Sequence, residues 1–192
     1  MSIEIHPRRL SGPWDDGYAL DVHTLSSVPI GPNHFRHMQF DTKRSPVGEL
    51  LYQLKYRGDQ SGVEPLAEVA VAFVKPIWRV DAVVPVPPST VRKSQPVMAM
   101  ADAIAAQLGV PICAGCLTKV KQTPQLKDIT DYDKRKEVLA GAFAVDRTLT
   151  ADRVLLLFDD LHGSGATAGH VAEILKQDGK ARAVYLLTLT TK

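Results

Sequence analysis

From Ser45 onward, apolar positions alternate between helical spacing and short unbroken runs. Ser45 and Pro46 make a helix start: the serine hydroxyl can accept from a free backbone N–H, and proline has no N–H to satisfy. Val47, Leu50, Leu51 and Leu54 follow at helical spacing, and Gly58 ends the pattern. A second helix is predicted over residues 64–75, with Leu66, Val69, Ala70 and Phe73 on one face. A third covers 96–108, with Val97, Met100, Ala101, Ile104 and Leu108 inward, and a fourth runs from Ala166 to near Gly179. Apolar runs at 82–86, 110–113, 141–145, 154–158 and 183–189 read as strands. Residues 118–136 are polar and turn-rich and read mostly as a mobile loop. Strands alternating with helices predict an α/β fold, a mainly parallel sheet with helices on both faces. Ligands of such sheets bind at the carboxyl ends of the strands.

Residues 1–44 differ. They lack a helical period, and the alternation over 18–26 supports only one or two short strands. The expected organisation is a small N-terminal hood or extension over 1–44 and a core domain over 45–192. A length of 192 residues suits one domain with a proper core. The formal charge of +2 gives no strong bias toward nucleic acid or membrane. The first residues lack an apolar leader core, and no apolar run is long enough to span a bilayer. The expectation is a soluble, cytoplasmic protein without a membrane partner. Two cysteines are too few for a disulfide framework. Cys113 and Cys116 form a lone CxxC without the second ligand pair that zinc needs, so a packing role is expected.

The most informative run is residues 154–167, VLLLFDDLHGSGAT. A buried strand delivers two adjacent carboxylates, Asp159 and Asp160, to its end, and a small-residue loop leads into a helix. Backbone N–H groups in such a loop cradle phosphate, and the helix dipole favours its charge. The small side chains of Gly163, Ser164, Gly165, Ala166 and Thr167 let a ligand approach that backbone closely. Two acids beside a phosphate cradle suit sugar hydroxyls or a hydrated Mg²⁺. The implied ligand is a phosphorylated sugar.

This run resembles the binding signature for 5-phosphoribosyl 1-pyrophosphate (PRPP) in type I phosphoribosyltransferases. Leu155 to Phe158 match its apolar part, Asp159 and Asp160 its acids, and Ser164, Gly165 and Thr167 its loop; His162 and Gly163 depart from it. LKYRGD at 54–59, PVP at 85–87, TPQL at 123–126 and GAF at 141–143 follow the order seen in the ComF branch, which is linked to DNA uptake in competence. The likeness runs from Pro46 to the C-terminus. Many ComF proteins begin with a four-cysteine zinc module, and this chain has no cysteine before Cys113.

The resemblance implies a type I phosphoribosyltransferase-like fold and a set of roles. Asp159 and Asp160 would act at the ribose hydroxyls, directly or with Mg²⁺ held through PRPP or water, and would be the catalytic pair. Gly163, Ser164, Gly165, Ala166 and Thr167 would hold the 5′-phosphate. Pro87, Pro88, Ser89, Thr90, Arg92 and Lys93 would form the pyrophosphate loop, with Arg92 or Lys93 supplying charge. Lys119, Lys121, Lys127 and Arg135 would sit on a loop that closes over the substrate and excludes water. Lys55, Tyr56 and Arg57 are either near the site or a solvated helix end. His162 is a base candidate by location alone. Trp14, Asp15, Asp16 and Tyr18 belong either to the hood, where an acceptor would bind, or to a small satellite core.

The implied activity is transfer of the phosphoribosyl group to a nitrogenous acceptor, which the sequence does not identify, with release of pyrophosphate. The alternative is a non-catalytic PRPP-binding accessory or regulatory protein, acting in ComF-like uptake of single-stranded DNA. That alternative needs Arg8, Arg9, Lys43, Arg44, Arg92 and Lys93 to converge into one basic track.

Overall fold

The computed structural model describes residues 3–88, 95–121, 123, 129 and 131–192, without the side chains of Tyr132, Asp133, Arg135 and Lys136. Two short strands open it, β1 (Arg8–Arg9) and β2 (Asp16–Val22), followed by a hairpin of β3 (Thr24–Pro32) and β4 (Met38–Arg44). Helix α1 (Pro46–Tyr52) passes into a π-helical turn, Gln53–Arg57, and a short 3-10 turn leads to α2 (Val63–Val74). Then come β5 (Ala82–Pro85), α3 (Pro96–Leu108), β6 (Leu117–Lys119), α4 (Tyr132–Leu139), β7 (Phe143–Val145) and the single turn α5 (Arg147–Thr150). The chain closes with β8 (Val154–His162), α6 (Ala166–Gln177) and β9 (Ala183–Thr191).

The main sheet runs β1-β2-β9-β8-β5, parallel except where β1 pairs with β2. Residues 154–158 of β8 are buried on both faces, which explains an unbroken apolar run instead of alternation. One face packs α1, α2 and α3 through Leu51, Leu66, Val74, Met100, Ile104, Leu156 and Phe158. The other packs α6, the β6–β7 pair and Leu139 of α4 through Val171, Leu175, Phe143, Leu155 and Leu157. The predicted α/β architecture with helices on both faces is therefore present. Among the described residues, no helix is long and apolar enough to cross a membrane.

Several details differ from expectation. Residues 16–22 are not a peripheral extension: β2 lies beside β9 in the main sheet, in parallel register from Asp16↔Tyr185 to Val22↔Thr191. What stands apart from that sheet is the β3–β4 hairpin, with Val28, Ile30, Phe35 and Phe40 exposed. Trp14 is buried and donates from Nε1 to Leu10 O at 2.9 Å, and Tyr18 packs edge-on against Phe73, so these aromatics belong to the core. The run 110–113 shrinks to one parallel bridge, Val83↔Ile112. The supposed loop at 118–136 contains most of β6 and the start of α4. Cys113 and Cys116 are buried as expected but joined in a disulfide, with Cα atoms 5.3 Å apart.

The junction of β2 with α1 positions the next element. Ser45 caps α1, accepting from Gly48 N at 3.0 Å, and its hydroxyl donates to Val22 O at 2.5 Å. One side chain thus ties the helix to the end of β2. A Cβ on Gly48 would lie 2.2 Å from the carbonyl oxygen of His23. That oxygen is backbone and cannot rotate away. Gly48→Ala is expected to cost about 1–3 kcal/mol by overpacking. Gly163→Ala, whose Cβ would meet nothing within 4 Å, should change stability by less than about 0.5 kcal/mol. Urea unfolding of both variants against the parent checks the contrast.

Candidate functional site

Asp159 and Asp160 continue β8 instead of ending it, and the strand runs on to His162. The partner strand β5 stops at the pair Pro85↔Phe158. On that side the two acids extend beyond their neighbour, so among the described residues one edge of β8 is unpaired where they lie. Successive side chains of a strand point to opposite faces. Asp160 faces the α1 side, where Lys55 Nζ lies 2.8 Å from its Oδ2. Asp159 reaches the side of α6 and lines a cavity of about 200 Å³ with residues 161–168. Both acids line an adjoining cavity of about 230 Å³ with Lys55, Pro87, Pro88, Lys119, Thr123 and Thr167. Asp159 and Thr167 belong to both cavities, so the two are contiguous. No turn at Asp160 is needed to bring both carboxylates to one space.

The loop after β8 is shaped by Gly165, which takes φ +73° as the residue before α6. Its carbonyl accepts the first helical bond, from Gly169 N at 2.7 Å. A second constraint acts there. A Cβ on Gly165 would lie 2.8 Å from His162 Nε2. The imidazole packs beneath the loop, edge-on to Trp14 with ring centres 6.0 Å apart. Its Nε2 is buried with no hydrogen-bond partner among the described residues. Burial holds the imidazole below its usual pKa, favouring the neutral ring. His162 thus packs against the loop and also lines the cavity beside Asp159.

Electrostatics divide the acidic pair. Asp159 Oδ1 accepts from Asp160 N at 2.8 Å. Burial, and next the charge of Asp160, push the Asp159 carboxyl up to about 8, while the bond from Asp160 N and the charge of Lys55 act the other way. The environment thus favours the protonated form of Asp159, while Asp160 is paired with Lys55. Lys119 is held below the usual lysine range by burial, and its Nζ donates to Thr123 Oγ1 at 2.8 Å.

The structure brings together Asp159, Asp160, the loop 163–167, Pro87, Pro88 and Lys119. Lys121 is exposed and lines neither cavity. Ser89, Thr90, Arg92, Lys93 and Lys127 lie outside the described residues, as does the side chain of Arg135. Of the LKYRGD group only Lys55 reaches the site; Tyr56 and Arg57 are exposed. Thr123 is an addition that only the TPQL segment could have flagged. Of the basic residues that a nucleic-acid track would need, Arg92 and Lys93 lie outside the described residues, Arg9 pairs with Asp16 at 3.1 Å, and Arg44 pairs with Glu49 at 3.1 Å and covers the Tyr52 ring.

Direct coordination of a metal does not suit the acidic pair. Lys55 occupies Asp160 Oδ2, and Asp159 Oδ1 is used by the backbone. Among the described residues, no group of three or more His, Cys, Asp or Glu side chains gathers to hold an ion.

No family model matches the chain, and no curated protein is similar to it in sequence. Solved structures with a similar course include adenine phosphoribosyltransferase from Saccharomyces cerevisiae, complexed with an imino-altritol bisphosphate and adenine. The TM-score is 0.46 at 14% identity, over 86% of this chain and 85% of that one. Another adenine phosphoribosyltransferase gives 0.44 at 14% identity, over 86% of each chain. UMP synthase from Leishmania donovani gives 0.44 at 14% identity over 86% of this chain, which spans 28% of the length of that one.

The raised Asp159 carboxyl has a consequence for stability. The unfolded chain releases this proton near the ordinary aspartate value of 3.8, whereas the folded chain keeps it to about 8. Between those values, rising pH favours the unfolded state. Asp159→Asn should remove this penalty. It should stabilise the fold at pH 8, with the gain shrinking on acidification and vanishing below about pH 4. Thermal melts of parent and variant across pH check the sign and the window.

Proposed function

We propose that this chain binds PRPP at the carboxyl edge of its sheet and transfers the phosphoribosyl group to a nitrogenous acceptor. The observation that carries the reading is the junction of two contiguous cavities, one walled by a glycine loop at a helix N-terminus and the other by an acidic pair. A sugar phosphate presents matching chemistry, an anion at one end and hydroxyls a few bonds away. The order of motifs shared with the ComF branch supports placing the chain near that branch. Fold alone does not name a reaction, so the weight rests on the site.

On this reading the backbone N–H groups of residues 163–167 receive the 5′-phosphate, aided by the dipole of α6. Asp160 accepts a hydrogen bond from one ribose hydroxyl. Protonated Asp159 can donate to the other, so the pair reads a diol with one acceptor and one donor. Pyrophosphate extends past Pro87 and Pro88 toward Lys119, whose ammonium offsets its charge. The acceptor nitrogen attacks C1, the bond from C1 to the pyrophosphate oxygen breaks, and the acceptor loses its proton. Rate enhancement comes mainly from positioning and from stabilising the leaving group. Mg²⁺, if bound, would be held through PRPP or water at Asp159 and Asp160 and would offset the charge of the leaving pyrophosphate. The hairpin rooted beside the site is the segment proposed to meet the acceptor.

Calorimetric titration with PRPP, with and without Mg²⁺, tests the proposal. Micromolar binding strengthened by Mg²⁺ is expected. Asp159→Asn combined with Asp160→Asn should weaken it by roughly 100-fold, the scale of two lost hydrogen bonds involving a charged group. Equal binding by that variant would sink the site assignment. Pyrophosphate release with one of a panel of nucleobases is the expected second result. Binding without release for any base would move the reading to an accessory role.

A further inference from the structure

Lys55 is the feature of this site that the general scheme leaves unused. It comes from the π-helical turn Gln53–Arg57 after α1, while Asp160 comes from β8. Their side chains keep only 15% and 13% exposure and meet at 2.8 Å. The next two residues of the turn, Tyr56 and Arg57, go to solvent. Single π-helical turns inside helices recur at functional sites because they re-aim side chains. Here the turn aims one ammonium at one carboxylate. Other charges nearby do not replace it: Arg44 is engaged by Glu49, and His23 is held below its usual pKa by burial first and then by Lys55 and Arg44.

We propose that Lys55 is a specificity-determining residue of the acidic pair, admitting hydroxyl groups and excluding a bare divalent cation. The physical reason is the difference between what a cation and a hydroxyl require. An Mg²⁺ ion bound to Asp160 would sit about 2.1 Å from its oxygen. It would then lie close to the ammonium already there, and like charges in a partly buried site repel strongly. A hydroxyl is neutral and donates one hydrogen bond. An ionised carboxylate has about four lone-pair sites, so it can accept a hydroxyl while keeping Lys55. The pair therefore reads a polyol without first collecting a metal. Its identification as a ribose reader rests on the PRPP reading; the exclusion of a free cation does not.

Mn²⁺ is a suitable probe, because its free ion is counted directly by electron paramagnetic resonance. The parent and Lys55→Arg are expected to bind it no more tightly than millimolar in the absence of phosphate ligands. Lys55→Met should bind it at least tenfold more tightly, and adding Asp160→Asn should abolish the gain. Lys55→Gln, which keeps a polar side chain of moderate length, serves as a second uncharged variant should the methionine variant fold poorly. Mn²⁺ affinity equal in the parent and the uncharged variants overturns the inference, as does tight binding by the parent. In parallel, ribose 5-phosphate and PRPP are titrated into the parent. If neither binds while Mn²⁺ still separates the variants, the PRPP reading fails and the role of Lys55 stands. If both bind while Mn²⁺ affinity is indifferent to residue 55, the role of Lys55 fails and the PRPP reading stands.

Discussion

The two-sided burial of β8 is the constraint on which the rest of this molecule depends. Residues 154–158 have no exposed face, because helices cover the sheet from both sides. Charge can therefore appear on this strand only where its cover ends. That happens past Phe158, where β5 has stopped. The chain places its two acids there and nowhere earlier. The desolvation that drives the core together is also what raises the Asp159 carboxyl at its margin. Core and site are thus two effects of one burial gradient.

Close backbone approach is the second organising device, and it operates at both walls of the site. On one side, Gly48 lets the first turn of α1 rest on the carbonyl of His23, which sets where α1 and the following turn lie. Lys55 reaches Asp160 from that turn. On the other side, Gly165 both turns the chain into α6 and leaves room for the His162 ring. The histidine that departs from the resembled signature fills the space beneath the loop, supported by Trp14. Both walls rest on close packing, of α1 on the His23 carbonyl and of the His162 ring on Trp14, so the polar groups facing a ligand are preorganised.

Legibility in the sequence followed the range of the determining interaction. The cap at Ser45, the stop at Gly58 and the helix from Ala166 depend on neighbours a few residues away, and the structure contains them as read. The adjacency of Asp159 and Asp160 to the loop is likewise covalent adjacency. Less local features were misread. Polar composition hid a strand and a helix within 118–136, because β6 is stabilised by β7 and by burial of Leu117, not by its own pattern. Residues 1–44 lacked a helical period because β2 is a strand of the main sheet, and its partner β9 lies at the far end of the chain. The two cysteines, read as separate packing residues, are bonded because the backbone folds their Cα atoms to 5.3 Å.

By itself, the sequence determined the α/β alternation, the buried strand with acids at its end and the small-residue loop at a helix start. Each is a matter of residue type and spacing along a single segment, where hydrophobic period, capping and backbone freedom act locally. Tertiary structure alone decided which charges meet. Residues 55 and 160 are far apart in the chain, and only the packing of α1 against β2 and the open edge of β8 bring ammonium and carboxylate to 2.8 Å. It also decided that His162 faces inward and that Asp159 and Asp160 differ in environment. Burial and charge pairing are properties of the assembled layers, and no local pattern encodes them.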